Sequence, residues 1–259
     1  MMVNRNNCLG ENYMSRNVYT EEIMENIEKE YRIDDEAEII RYMDFSKFMN
    51  ILIKKELFFC NAEKFEDKYE GEVPNGFYNL WSDKKKQFYK ERDEILNRVA
   101  YINCWNNFEC GENYAMWKLY THPDTGVAIK TTVGHLRKAL NDSRVEIYKV
   151  KYLDSFVDGN KTLELPFYDH PEDFVWEHVK EACKYRAYKY ENEIRALCYD
   201  ENDGKVGKNI NISVDTLIDE IYISPYAQVW FEELIRDIVN DPEYGLDSVE
   251  VNKSSISFR

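Results

Sequence analysis

Two carboxylates stand two positions apart in the stretch KYRAYKYENEIRALCY, from Lys184 to Tyr199, as Glu191 and Glu193, and Arg195 follows at the same spacing. On an extended chain residues two apart share a face, so all three point the same way if the segment is a strand. The group then has two readings. A pair of acids with its own cation can do acid–base work if one acid is desolvated in a cleft. The same residues also make an ion-paired or solvated row on an edge strand. Arg41 raises a related question. It lies in the middle of EIIRYMD among apolar neighbours, where a guanidinium is costly to bury unless a carboxylate or phosphate meets it. Arg41 is therefore an edge-strand residue, a structural partner of a carboxylate such as Glu193, or a ligand contact.

Other residues with chemical potential are weaker signals. In NYAMWKLY, Met116, Trp117 and Tyr120 fall at helical spacing and read as core. In KFEDKYEGEV, Glu66, Asp67, Glu70 and Glu72 lie in a turn-like context; they either seat a divalent cation or form a solvated acidic turn, and no EF-hand spacing is present. Six cysteines are scattered without a CxxC pair and read as reduced thiols. His122, His135, His170 and His178 have no context that marks a base. The sequence also lacks a GxxxxGK[ST] phosphate loop, a GxGxxG turn, an HExxH helix and a GxSxG elbow.

The elements that must position these residues follow from periodicity. AEIIRYM reads as a strand, and DFSKFMNILIKKE as a helix capped at Asp44 or Ser46 with Phe45, Phe48, Met49 and Leu52 on one face. LFFCN is a strand, residues 75–98 are helical, and VAYINCW is a central strand. ENYAMWKLY is a short helix, TGVAIKTT a strand, VGHLRKALN a helix, and RVEIYKVKYL one alternating antiparallel strand with a wetted face. HPEDFVWEHVKEAC is a helix, ENDGKVGKN a hairpin-like loop, and IDEIYIS, YAQVWFEELIRDIVN and DSVEVNKSSISF a strand, helix and strand that form a crossover if the strands are parallel. The sum is an α+β fold, a single domain over 36–259 with a mixed, mainly antiparallel sheet flanked by helices, preceded by an N-terminal helical extension over 1–35.

Composition limits the partners. With 259 residues and a net charge of −15, the chain has no general attraction for nucleic acid or an anionic membrane. No apolar run is long enough to span a bilayer, and the polar N-terminus does not look like a signal peptide, so a cytoplasmic protein is expected.

Taken in order, RYMDFSKFMNILIKKELFFCNAEKFEDKYEG, INCW, MWKLY, GVAIK, VKY and YKYENEIRA resemble the bacterial family called domain of unknown function 2971, over residues 39–258. The chain departs from that pattern at Glu66 and Lys68, where the family has Asn and Pro, and at Tyr188, where it has Trp. The order of motifs is also similar to that of ADP-ribosyltransferases, which place an Arg or His on an early strand, nicotinamide-stacking aromatics in the middle and a Glu-x-Glu on a late strand. This resemblance implies NAD as substrate and no metal. It implies Glu193, Glu191 and Arg41 as catalytic residues, and Arg41, Tyr42, Trp117, Tyr120 and Arg195 as NAD-binding ones. It also implies an effector of a toxin or antiphage-defence system. Two alternatives stand beside it: a non-enzymatic protein-binding component, and a metal-dependent nuclease built on the acids from Glu66 to Glu72.

Overall fold

Strand β1 (Glu38–Asp44) and helix α1 (Phe45–Lys54) follow each other without a loop, because Asp44 closes the extended run and serves as the helix N-cap residue. Its side chain does not cap the helix; it accepts a hydrogen bond from the His122 amide at 2.6 Å. α1 buries Phe48, Ile51 and Leu52 and ends at Lys55 in the left-handed region, φ 53°. The computed structural model describes residues 31–65, 82–153, 180–200 and 205–257. The expected helix before Tyr31 and the acids Glu66, Asp67, Glu70 and Glu72 lie outside them.

Among the described residues, β2 (Glu56–Asn61), α2 (Asp83–Val99), β3 (Ala100–Asn107), α3 (Tyr114–Tyr120), β4 (Gly126–Thr132) and α4 (Val133–Leu140) come next. After them are β5 (Glu146–Lys149), β6 (Lys151–Leu153), β7 (Cys183–Tyr185), β8 (Glu193–Tyr199) and β9 (Gly207–Asn211). The chain closes with α5 (Val214–Leu217), β10 (Glu220–Ile223), α6 (Val229–Val239) and β11 (Glu250–Lys253). The large sheet runs β11-β10-β4-β1-β3-β2-β9, with β8 on β3 and β5 on β8. All its pairings are antiparallel except β10 with β11, which are parallel and linked by α6, so the condition for a crossover is met. The α+β architecture with a mixed, mainly antiparallel sheet is the one the periodicity predicts.

β3 organises the sheet. β8 runs along one whole edge of it, from Ala100 opposite Tyr199 to Asn106 opposite Glu193. The other edge is divided: β1 pairs at Ile39–Asn107 and Ile40–Asn106, and β2 pairs at Cys60–Ile102 and Asn61–Tyr101. Between these contacts the Asn103 side chain bridges the gap, donating to the Phe58 carbonyl at 2.8 Å and accepting from Trp105 Nε1 at 2.7 Å. One face of the sheet, carrying Ile39, Met43, Trp105, Ile129, Ile194 and Ile221, packs on α1, α4, α5 and α6 as the main core. Each such fully buried side chain contributes about 1.5–3 kcal/mol. The other face is covered in part by α3, whose Met116 and Trp117 pack on Ile40, Tyr42 and Ala128.

Two segments differ from the sequence reading. RVEIYKVKYL is not one strand: β5 pairs antiparallel with β8, but β6 pairs parallel with β7 in a separate two-stranded sheet. The break falls after Val150: its amide still makes the in-register bond to the Glu193 carbonyl at 2.9 Å, but the Glu193 amide donates to the Tyr152 hydroxyl at 2.8 Å, and the chain then turns into β6. The end of the expected loop ENDGKVGKN is a strand, β9, recruited by the free edge of β2.

Candidate functional site

Glu193 and Arg195 do share a face of β8, the same face as Asn106 and Cys104 on β3 and Tyr42 on β1. Glu191 gets there by another route. It ends the 3-10 turn Arg186–Glu191, Asn192 follows in the left-handed region at φ 43°, and only then does β8 begin. The strand-face argument therefore holds for Glu193 and Arg195 and fails for Glu191, which a turn places next to them.

The cluster is not a wetted row. Relative exposure is 4% for Glu191, 5% for Glu193 and 1% for Arg195. Arg195 Nη2 donates to Glu193 Oε2 at 2.8 Å, and Nη1 donates to the Glu181 carbonyl at 2.6 Å. Lys184 on β7 bonds Glu191 Oε2 at 2.6 Å and reaches Glu193 Oε2 at 3.5 Å. The Tyr120 hydroxyl donates to Glu191 Oε1 at 3.0 Å, and the Glu193 amide donates to the Tyr152 hydroxyl at 2.8 Å. Two anions and two cations are thus closed into one buried network, the arrangement that burial of such charges requires.

Electrostatics follow from this geometry. Burial alone would raise the Glu193 carboxyl, but the charges of Arg195 and Lys184 outweigh it and hold the group at about 2. The Tyr120 and Tyr152 hydroxyls are pushed up, first by burial and then by the neighbouring carboxylates. Because the Glu193 pKa is depressed on folding, its contribution to stability is fully present above the ordinary value of 4.5 and is lost as pH falls toward 2. Urea unfolding midpoints measured between pH 6 and pH 2.5 are expected to fall through this window in wild type. The fall should be shallower in Glu193→Gln; equal slopes would remove Glu193 as its source.

Beside the network lies a cleft of about 550 Å³ lined by Tyr42, Asn106, Tyr114, Lys149, Tyr152, Lys189, Tyr190 and Glu191, among others. Its volume is in the range of small-ligand sites. Tyr114 and Tyr190 stand exposed at the rim, and Tyr42 lies buried at the wall. A second hollow of about 390 Å³ adjoins it and shares Asn107 and Lys149. Glu191 lines the cleft while Glu193 does not, so Glu193 lies behind the carboxylate that borders the open space.

The remaining expected site residues separate. Tyr120 meets Glu191 at the network, with its ring about half exposed. Trp117 is 1% exposed, packs edge-on against Tyr42 with centroids 4.9 Å apart, and donates from Nε1 to Glu112 at 3.0 Å; it supports the wall instead of offering a ring face. Arg195 is sealed beneath Glu193. Arg41 is opposite Ile129, on the helix-covered face that carries Ile39 and Met43, whereas Glu193 is on the face of Ile40 and Tyr42. Strand parity thus sets Arg41 and Glu193 on different faces, and no ion pair joins them among the described residues, while both interact with Cys104. Burial lowers the Arg41 pKa, and it makes no ion pair among the described residues. Lys184, which sequence reading missed, takes the cation's place. Its only signal was charge balance: if Glu191 and Glu193 are buried, cations from the same stretch must accompany them.

The segment from α3 to the middle of β8 carries most of this site. Residues 116–196 match the family described as protein of unknown function (DUF2971). That DUF2971 segment includes Met116-Trp117, Gly126-Val127 and the Glu191–Arg195 cluster. A search of curated proteins finds no match. Among solved structures the chain is similar to Thermus sp. 2.9 DarT in complex with NAD+, at 9% identity and a TM-score of 0.37, covering 85% of this chain and 96% of that one. It is also similar to Thermus sp. 2.9 DarT in complex with ADP-ribosylated ssDNA, at 11% identity and a TM-score of 0.38, covering 86% and 97%.

Proposed function

We propose that the cleft takes NAD as substrate and that the protein transfers its ADP-ribosyl group. The observation that supports this reading most directly is Glu191, a carboxylate on the wall of a tyrosine-lined cleft, oriented from two sides by Lys184 and Tyr120. In the reaction the bond between nicotinamide nitrogen and ribose carbon breaks, nicotinamide leaves as a neutral molecule, and an acceptor nucleophile takes the ribose carbon and loses its proton. Positive charge develops on the sugar as the bond breaks. A fixed carboxylate within reach of a ribose hydroxyl stabilises that charge. The faces of Tyr114 and Tyr190 at the rim can hold the flat nicotinamide ring, and Lys149 and Lys189 supply cations for the pyrophosphate. Arg41 is left out of this scheme because it does not line the cleft. With this reading goes the role that the motif resemblance implies, a cytoplasmic effector of a toxin or antiphage-defence system.

The test is calorimetric titration of the purified full-length protein with NAD, paired with chromatographic measurement of nicotinamide release. Saturable binding and release that depends on Glu191 are expected. Absence of binding at millimolar NAD would reject the proposal.

A second reading rests on a different surface. α6 exposes Val229 and Trp230 at 63% and 54%, an apolar outer face consistent with a protein-binding component. Stoichiometric capture of a partner that Trp230→Ser abolishes, with no NAD binding, would favour it.

A further inference from the structure

Lys184 reaches the carboxylates from outside the main sheet. It is on β7, which pairs in parallel with β6, and its side chain is 7% exposed. The ammonium lies 2.6 Å from Glu191 Oε2, 3.5 Å from Glu193 Oε2, and 4.8 Å from the centre of the Tyr188 ring. Arg195 bonds Glu193, so the cation in contact with the carboxylate of the cleft wall is Lys184. From the other packed elements Tyr120, Tyr152, Tyr190 and Cys104 also face the pair.

We infer that Lys184 is a positioning residue of the proposed reaction, pinning one oxygen of Glu191 while Tyr120 holds the other, and holding Glu191 and Glu193 together as two anions, so that the Glu191 carboxylate stays charged and fixed at the cleft wall. The inference rests on the ADP-ribosyl-transfer reading. Its physical basis is that two buried carboxylates this close cannot both stay ionised without a cation between them. Removing the ammonium leaves Arg195 as the one cation for both carboxylates, and the neutral acid is then favoured in one of them.

The experiment uses the full-length protein with Lys184→Met, Lys184→Gln and Lys184→Arg. Nicotinamide release is followed from pH 5 to 9, NAD binding by calorimetry, and the Glu193 carboxyl by carbon-13 NMR titration. Met and Gln are expected to lower kcat about 10- to 100-fold at pH 7. NAD affinity should stay within about threefold, and the acid limb of the rate profile should move up by about one pH unit or more. Arg should recover most of the rate. A folded Met or Gln variant with wild-type kcat and an unmoved acid limb overturns the inference, as does a kcat loss that is equal at all pH values. If Met does not fold, Gln, which keeps a donor and removes only the charge, carries the test. If the wild type releases no nicotinamide, the proposed function falls. Lys184 is then judged by Glu193 alone: an upward shift of about one unit or more in the variant supports its hold on the pair, and an unchanged titration rejects it.

Discussion

Glu191→Gln is expected to slow nicotinamide release by roughly 100- to 1000-fold while NAD still binds, the usual size of effect when one preorganised group that meets developing charge is removed. The substitution is nearly isosteric. With the amide oxygen turned to Lys184 the amide NH2 can donate to the Tyr120 hydroxyl, and Lys184 keeps Glu193 at 3.5 Å, so the fold loses one charge from a balanced network without losing its shape. The loss should therefore fall on kcat, with KM changed little, because the carboxylate acts on charge that exists only in the transition state. Steady-state kinetics with a thermal melt on the same sample check both halves of this expectation. If instead Glu193→Gln abolishes release and Glu191→Gln does not, the two acids have exchanged roles, and the acid behind the wall is the one that meets the sugar.

Arg195→Met is expected to be the most damaging single change to stability, about 3–5 kcal/mol, since it leaves Glu193 buried beside a lost partner. The guanidinium is 1% exposed and makes two short bonds, to Glu193 and to the Glu181 carbonyl, so no water is at hand to replace it. Urea denaturation gives the measurement. The informative companion is the double variant Glu193→Leu with Arg195→Leu, which removes one anion and one cation together and leaves Lys184 with Glu191. Replacement of a whole buried pair by apolar residues is often near neutral. The double variant should therefore regain much of what either single change loses, with a coupling of up to about 3 kcal/mol in the double-mutant cycle. Strict additivity would mean that the pair is not energetically linked.

Much of the frame was legible because its signals are local. The run from β1 through α1 to β2 follows from a period that switches from two to 3.6 and back, and the α6 crossover from an amphipathic helix between two short alternating strands. The site was legible only in part. Period two places Arg41 with Ile39 and Met43, and Tyr42 with Ile40, but it does not say which set faces Glu193; that depends on the pairing of Ile40 with Asn106 and of Asn106 with Glu193. Glu191 was misplaced on the strand because the turn that ends at Asn192 has no Gly or Pro to announce it. Lys184 was missed because burial of a lysine depends on the small sheet of β6, hidden inside what read as one long strand, and β7, which begins at the last residue of the expected helix HPEDFVWEHVKEAC. The run breaks after Val150 because the Glu193 amide takes the Tyr152 hydroxyl as its acceptor, which no side-chain pattern records.

The divided edge of β3 bears on how the chain folds. Both halves of the large sheet, β1 with β4, β10 and β11 on one side and β2 with β9 on the other, are joined through this one strand. β3 itself is completed by β8, whose Glu193 meets Asn106 across a long intervening stretch of chain. Neither half can gain the full cooperativity of the sheet until that distant closure is made, and contacts of such long range slow folding because loop entropy is lost before they form. The pairing of β3 with β8, like the still longer-range pairing of β2 with β9, is thus expected to be a slow event of folding, and it is the event that first brings Glu193 beside Asn106. A chain that has not yet closed β8 on β3 would lack the network whatever else had formed, so the chemistry proposed for the cleft would switch on only with that closure.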